Sequence, residues 1–191
     1  MATAMGQADT AAISTGHSFP NVARKLLSFG LGREEYGLDI LSVREIIGLI
    51  DITPLPRTPD YVKGVINLRG KIIPVIELRN RFDLPPVDYT EETCIIVVDL
   101  PGTSERESTL TGVIVDTVRE VLDIPAGAIE PPPTFGCSIP LDFITGIGKV
   151  KEKVVVMLDA AKVMNPAAVD ALSAAPSTLA SGDIPGDQLT A

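Results

Sequence analysis

The residue types that could carry catalysis are few and widely separated in this chain of 191 residues. The single histidine, His17, lies in a stretch of Ala, Thr, Ser and Gly that predicts a flexible tail, whereas a nucleophilic triad needs a base held beside the nucleophile. Cys94 and Cys137 form neither a CxxC pair nor a His-flanked cluster of the kind that binds zinc. We therefore expect no catalytic residue, no metal site and no cofactor site, and hence a protein that is not an enzyme.

Other patterns that suggest ligands have simpler structural explanations. The glycines in Gly146-Ile147-Gly148-Lys149 lack the spacing of a phosphate-binding loop, and a tight strand pair explains them. Acidic pairs such as Glu34-Glu35 are typical of solvated loops. Cys94 lies in an apolar run that predicts a buried thiol, while a disulfide to Cys137 stays open. A small enzyme is kept as an alternative, and unchanged function after substitution of the histidine and both cysteines would eliminate it.

One predicted hairpin sets charged side chains against apolar ones. Arg69-Gly70-Lys71 separates the apolar segments 65–68 and 72–76, and Gly70 can supply the positive φ that a tight hairpin needs. An arginine at such a tip can fork onto a carboxylate, within the chain or on a partner, with a geometry that lysine cannot match. The alternatives are a solvated turn arginine and, for Glu45 between Arg44 and an apolar pair, simple exposure.

The elements that must position these residues are mostly strands. Hydrophobic residues make up 45% of the chain and aromatic residues 4%, with no Trp, so the core must consist mainly of Val, Ile and Leu. The β-branched members of that set favour a pleated sheet. Strands are predicted over residues 25–30, 36–40, 65–68, 72–76, 94–100, 110–118, 120–124, 144–150 and 154–158. This number of short strands fits two small barrels better than one sheet.

Four further segments complete the predicted organisation. Residues 43–50 are ambiguous between helix and strand, and their β-branched content favours a strand after one tight turn. The proline-rich segment 53–59 predicts a surface connection, and residues 78–82 predict a short helix. Residues 101–108 predict an exposed loop.

Charge and hydropathy indicate which partners the protein can bind and in which compartment it is located. The formal net charge is −9, whereas a nucleic-acid binder needs a basic surface, so nucleic acid is excluded as a partner. No apolar run approaches the roughly 20 residues that span a bilayer, and no secretory signal precedes the first strand, so we expect a cytoplasmic protein with no direct membrane insertion. Residues 1–21 and the Ala/Pro/Gly-rich residues 166–191 are predicted to be a flexible tail and a mostly disordered tail on either side of a domain over residues 22–165.

The order of motifs over residues 22–165 resembles the CheW family. The first carriers are residues 34–40, Val43-Arg44-Glu45-Ile46-Ile47, and the run 58–70 that ends in Asn67-Leu68-Arg69-Gly70. In the second half, Gly112-Val113-Ile114-Val115-Asp116-Thr117-Val118-Arg119-Glu120-Val121-Leu122 and the segments 143–148 and 154–159 resemble the family's closing motifs. We identify the chain as a member of that family on these residues.

This resemblance implies a fold, a function and a set of partner-binding residues. It implies a mainly β fold of two SH3-like five-stranded β-barrels packed together, with short helices and no catalysis. It implies an adaptor that links the cytoplasmic tip of chemoreceptors to the regulatory domain of a CheA-type histidine kinase in membrane-associated receptor arrays. By motif position, Val43 lies on the surface shared with partners, Glu45 and Arg69 are linked to receptor coupling as a mutual ion pair, and Phe135 packs against the kinase. A generic SH3-like module for proline-rich peptides is the alternative, but such grooves are lined by aromatic residues, which are scarce here.

Overall fold

The computed structural model describes residues 22–101, 108–132, 139–150 and 152–164. The predicted tails and most of the predicted loop over residues 101–108 lie outside these ranges. Within them the chain forms eleven strands: β1 (Arg24–Leu31), β2 (Glu34–Asp39), β3 (Val43–Gly48), β4 (Val62–Leu68), β5 (Lys71–Glu77), β6 (Cys94–Leu100), β7 (Thr109–Val115), β8 (Thr117–Ile124), β9 (Ile129–Glu130), β10 (Ile144–Val150) and β11 (Lys153–Leu158). Two short α-helices follow β5 and β11, namely α1 (Leu78–Arg81) and α2 (Ala160–Met164).

The strands form two sheets, and each is the wall of one small barrel. The first sheet has the order β3-β6-β7-β5-β4 and is called barrel 1; the second has the order β8-β1-β2-β11-β10-β9 and is called barrel 2. The predicted fold of two five-stranded SH3-like barrels is thus confirmed, with the two-residue β9 added to barrel 2. The ambiguous segment 43–50 is the strand β3, entered through the 3-10 turn Ile40–Ser42, and the predicted helix over 78–82 is α1.

The two barrels repeat one topology. Strand β3 of barrel 1 corresponds to β8 of barrel 2, the hairpin β4–β5 corresponds to β10–β11, and the hairpin β6–β7 corresponds to β1–β2. In each barrel the second strands of the two hairpins pair in parallel, with Gly112 opposite Val75 in barrel 1 and Gly37 opposite Met157 in barrel 2. Barrel 1 is built from a continuous stretch of chain, whereas barrel 2 takes its last hairpin, β1–β2, from the beginning of the described chain.

The prediction of one continuous strand over residues 110–118 is wrong at Asp116. Strand β7 ends at Val115 and β8 begins at Thr117, and these two strands belong to different barrels. The physical reason is the side chain of Asp116, whose carboxylate accepts hydrogen bonds from Arg79 and from the backbone N–H of Gly32. These hydrogen bonds hold Asp116 at the crossing between the barrels. The apolar residues on both sides of Asp116 give no sign in the sequence that the strand ends there.

Three apolar clusters form the core of the two barrels and explain the continuous apolar runs. Each barrel has its own interior cluster, and a third and larger cluster fills the space between the barrels. Strand β6 serves two of them, since Ile95 and Val97 pack inside barrel 1 while Ile96 and Val98 pack between the barrels. A strand that is buried on both faces reads as an unbroken apolar segment rather than an alternating one.

The tip of the β4–β5 hairpin is a two-residue turn. Arg69 and Gly70 both have positive φ, at 53° and 86°, which matches the requirement of a type I′ turn for φ above zero at both central residues. The prediction for Gly70 is therefore confirmed, and Arg69 adopts the same region without being a glycine. The Asn67 side-chain oxygen accepts a hydrogen bond of 2.9 Å from the Gly70 N–H and supports the turn.

Candidate partner-binding surface

The predicted residues Glu45 and Arg69 come from opposite edges of the barrel 1 sheet. Glu45 lies on β3, the first strand in the sheet order, and Arg69 is at the tip of the hairpin that contains β4, the last strand. The curvature of the sheet brings these edges together, so a contact between the two side chains spans the closing seam of the barrel. The type I′ turn aims Arg69 back across that seam.

The two side chains form a forked ion pair. Arg69 Nη2 donates to Glu45 Oε2 at 2.8 Å, and Arg69 Nη1 donates to Glu45 Oε1 at 3.4 Å. The glutamate side chain is 24% exposed and the arginine side chain 79% exposed. Because guanidinium has five N–H donors, most of its donor edge still faces solvent and can meet a carboxylate on another molecule.

Apolar side chains are exposed on the same two elements as the ion pair. Ile46 follows Glu45 on β3 and is 45% exposed, and Ile72 on β5 is 66% exposed. By contrast, the predicted partner-binding residue Val43 is half-buried, pairs with Val98 and packs against the cluster between the barrels. Barrel 1 therefore exposes one arginine and two isoleucine side chains, residue types that are common at protein interfaces. Because side chains alternate along a strand, Ile46 points to the opposite face of β3 from Glu45.

Barrel 2 carries a matching ion pair that the sequence reasoning did not identify. Glu120 on β8 occupies the position of Glu45 on β3, and Lys153 at the start of β11 donates to its Oε1 at 2.8 Å. The hydrogen bond that Glu120 accepts is the main reason that the pKa of Lys153 is raised. The signal was present in the sequence, because Val43-Arg44-Glu45 and Val118-Arg119-Glu120 repeat one tripeptide on corresponding strands.

Of the other residues singled out in the sequence, one lies on barrel 1 and three lie outside the described residues. Phe135, predicted to pack against a kinase, and Cys137 lie outside the described residues, as does His17. Cys94 is half-buried rather than buried, and burial raises the pKa of its thiol. A raised pKa keeps this thiol protonated at neutral pH, which is the opposite of the environment of a reactive cysteine.

Comparison with known proteins agrees with this architecture. The model of the CheW-like domain matches residues 25–168. The chemotaxis protein CheW of Klebsiella aerogenes is 40% identical over 144 residues, which cover 75% of this chain and 83% of that protein. The chain belongs to the CheW family. The chemotaxis protein CheW of Helicobacter pylori is 33% identical over 141 residues, covering 73% of this chain and 81% of that protein.

A solved structure supports the fold at the level of coordinates. The scaffolding protein TtCheW from Thermoanaerobacter tengcongensis is 38% identical, with a TM-score of 0.68, and the match covers 75% of this chain and 94% of that one. The predicted CheW family membership and the predicted role in chemotaxis as a coupling adaptor are therefore confirmed. No helix among the described residues is long and apolar enough to cross a membrane.

Proposed function

We propose that this CheW-family chain is a non-catalytic adaptor that joins the cytoplasmic tip of chemoreceptors to the regulatory domain of a CheA-type histidine kinase. The proposal places the chain in the cytoplasm, over a domain of residues 22–165, and recruits it to membrane-associated receptor arrays. Glu45 and Arg69 form the receptor-coupling surface, Val43 lies on the surface shared with partners, and Phe135 packs against the kinase. The observation that carries the proposal is the forked ion pair with an arginine that is 79% exposed.

Burial of apolar surface supplies most of the affinity in this proposal, and the ion pair supplies orientation. Ile46 and Ile72 are the exposed apolar groups closest in sequence to Glu45 and Arg69, and a receptor tip that is an amphipathic helix would cover them. The ion pair fixes the position of the guanidinium before the partner arrives, which reduces the ordering cost of binding. Each contact is weak alone, and the array adds avidity because several contacts form on one assembly.

The rival functions have weaker support. A groove for proline-rich peptides needs exposed aromatic side chains, and among the described residues Tyr89 is the one aromatic residue that is strongly exposed. Its hydroxyl donates to Glu77 at 2.6 Å, which ties it to the chain's own carboxylate. An enzymatic function would need an activated nucleophile, and the protonated thiol of Cys94 does not supply one.

The proposal is tested by calorimetric titration of the full chain with the kinase regulatory domain and, separately, with the receptor's cytoplasmic fragment. We expect saturable binding to each, and we expect Arg69→Ala to weaken the receptor contact by about tenfold, equivalent to about 1.4 kcal/mol. Arg69→Lys keeps the charge and loses the forked hydrogen bonds, so its affinity for the receptor fragment should lie between those of Arg69→Ala and of the unsubstituted chain.

The matched control is Lys149→Ala, which removes an exposed cation from a cross-strand ion pair of 2.8 Å with Glu130 on barrel 2. This substitution should leave receptor binding at the level of the unsubstituted chain. Equal losses in the two variants would indicate a general charge effect and would contradict a specific role of Arg69. Absence of binding to both partners by the folded chain would overturn the proposed function.

A further inference from the structure

The chain crosses between the two barrels twice, through the turn Ile40–Ser42 between β2 and β3 and, over a shorter distance, through Asp116 between β7 and β8. The chain leaves barrel 1 at Val115 and enters barrel 2 at Thr117, so the backbone of Asp116 alone separates the two sheets. Rotation of one barrel against the other would need changes in the φ and ψ angles of Asp116 and of the turn Ile40–Ser42. The crossing at Asp116 therefore has the geometry of a hinge unless side-chain contacts hold it.

A buried arginine, Arg79, is hydrogen-bonded to Asp116. Arg79 on α1 donates to both carboxylate oxygens of Asp116, through Nε at 2.7 Å and through Nη2 at 2.5 Å, and its Nη1 donates to the Pro85 carbonyl at 2.8 Å. The Gly32 N–H, in the β1–β2 turn of barrel 2, donates to the same carboxylate at 2.7 Å. The Arg79 side chain is 10% exposed. The carboxylate of Asp116 therefore accepts hydrogen bonds both from the helix α1 of barrel 1 and from the β1–β2 turn of barrel 2.

A second arginine of the same helical turn also crosses between the barrels. The Cζ atom of Arg81 lies over two aromatic rings, 4.5 Å from the centroid of Tyr61 and 4.6 Å from the centroid of Phe143. Tyr61 precedes β4 of barrel 1, and Phe143 precedes β10 of barrel 2. Arg81 Nε donates to the Val163 carbonyl at 2.8 Å, which attaches α2 to the same stack.

These contacts add directional bonds to the apolar cluster between the barrels. Apolar burial in itself is not directional, and within the cluster Phe82 adds ring contacts to Tyr36 and Phe143, with centroids 5.6 Å and 6.2 Å apart. Forked hydrogen bonds and ring stacking are directional. We propose that Arg79 and Arg81 are positioning residues that fix the angle between the two barrels and thereby the orientation of the Glu45–Arg69 surface of barrel 1 relative to barrel 2; the role of that surface rests on the proposed function.

The angle between the barrels is measured directly by residual dipolar couplings of the backbone amides in the full chain. For the unsubstituted protein, one alignment tensor should fit the couplings of both barrels. In the double variant Arg79→Lys/Arg81→Lys, which keeps both charges but loses the fork and the planar stack, each barrel should still fit its own coordinates. The two barrels should then need tensors of different orientation or magnitude.

The matched control is Arg24→Lys, because Arg24 pairs with Asp39 at 3.3 Å within barrel 2. One tensor should fit both barrels of this control. If one tensor fits the double variant equally well, the positioning role is refuted. If the double variant loses its dispersed amide spectrum and is therefore unfolded, the same tensor comparison is made on the single variants Arg79→Lys and Arg81→Lys. One tensor that fits both barrels in each single variant would then refute the positioning role.

The consequence for coupling is tested with the kinase regulatory domain and the receptor fragment. The double variant should bind each partner alone within about twofold of the unsubstituted chain, but the affinity for the second partner once the first is bound should fall by about tenfold. Unchanged ternary assembly despite two distinct tensors would overturn the functional half of the proposal. If the unsubstituted chain binds neither partner, the proposed function fails, whereas the tensor comparison still decides the role of the two arginines in the fold.

Discussion

Gly64 is the position at which a single added methyl group should damage this fold most. Its φ of 143° lies in a region that L side chains rarely adopt. A Cβ at Gly64 would overlap the carbonyl oxygen of Thr53 and lie 2.7 Å from the Thr53 carbonyl carbon. Both atoms belong to backbone, and Thr53 and Val65 exchange two hydrogen bonds of 2.9 Å there, so the Cβ cannot be accommodated by a side-chain rotation.

The cost of Gly64→Ala can be built from these contacts. Strain at an unfavourable φ amounts to about 1–3 kcal/mol. Weakening of the two backbone hydrogen bonds adds about 0.5–1.5 kcal/mol for each. We therefore expect the free energy of unfolding to fall by about 2–6 kcal/mol, which is a large fraction of the roughly 5–15 kcal/mol that stabilises a typical domain.

Substitutions at two other glycines separate the cost of backbone strain from the cost of the contact with Thr53. Gly70 has a φ of 86° but open space around a built Cβ, so Gly70→Ala should cost the strain alone, about 1–2 kcal/mol. Gly48 has neither problem, and Gly48→Ala should stabilise the chain by about 0.5 kcal/mol because alanine loses less backbone entropy in a strand. The assay is urea unfolding followed by far-UV circular dichroism, with the slope compared between variants. A Gly64→Ala variant as stable as Gly48→Ala would refute the reasoning from the Thr53 contact.

Three further predictions concern charged and ionisable groups. Because Arg69 is highly exposed, Arg69→Ala should change the free energy of unfolding by less than about 1 kcal/mol in urea titrations; a larger loss would make the residue structural. Burial alone would raise the pKa of Asp116, but the hydrogen bonds from Arg79 and Gly32 outweigh it and lower the pKa, so this carboxylate stabilises the fold above its unfolded pKa and loses that effect as pH falls through the folded value. Asp116→Asn should therefore be less stable at neutral pH and show a shallower acid limb in unfolding titrations from about pH 5 downward; parallel curves would contradict the assignment. Since burial raises the pKa of Cys94, peptide mapping after alkylation should show slow modification in the native chain and fast modification in urea, and equal rates would oppose a half-buried thiol.

The sequence was sufficient for the elements whose signal is local. Apolar segments around Arg69-Gly70 predicted the β4–β5 hairpin, and the β-branched content of residues 43–50 predicted a strand there. It was not sufficient where the deciding contact is distant. The crossing at Asp116 depends on Arg79, 37 residues away, and an apolar pattern gives no sign of the resulting break.

The candidate site was predicted from the sequence only in part. Family motifs placed Glu45 and Arg69 together, and the structure joins them across 24 residues of chain. The partner role of these residues stays a prediction, as do those of Val43 and Phe135. The paired site on barrel 2 was missed because Glu120 pairs with a lysine at the start of β11 rather than with an arginine at a hairpin tip, so that only the short repeat around Glu45 and Glu120 is visible in the sequence.

The order of strands along the chain also determines the order in which the barrels can form during synthesis. Barrel 1 uses residues 43–115 without interruption, so all of its strands are available once that stretch has left the ribosome. Barrel 2 needs β1 and β2 from the start of the described chain and β10 and β11 from its end, so these early strands must wait for the last hairpin. Contacts of such long sequence separation form slowly because a large loop must close first. Meanwhile β1 and β2 can pack Phe29 and Tyr36 against the completed barrel 1, which keeps their apolar face covered and gives the late strands a preformed edge on which to assemble.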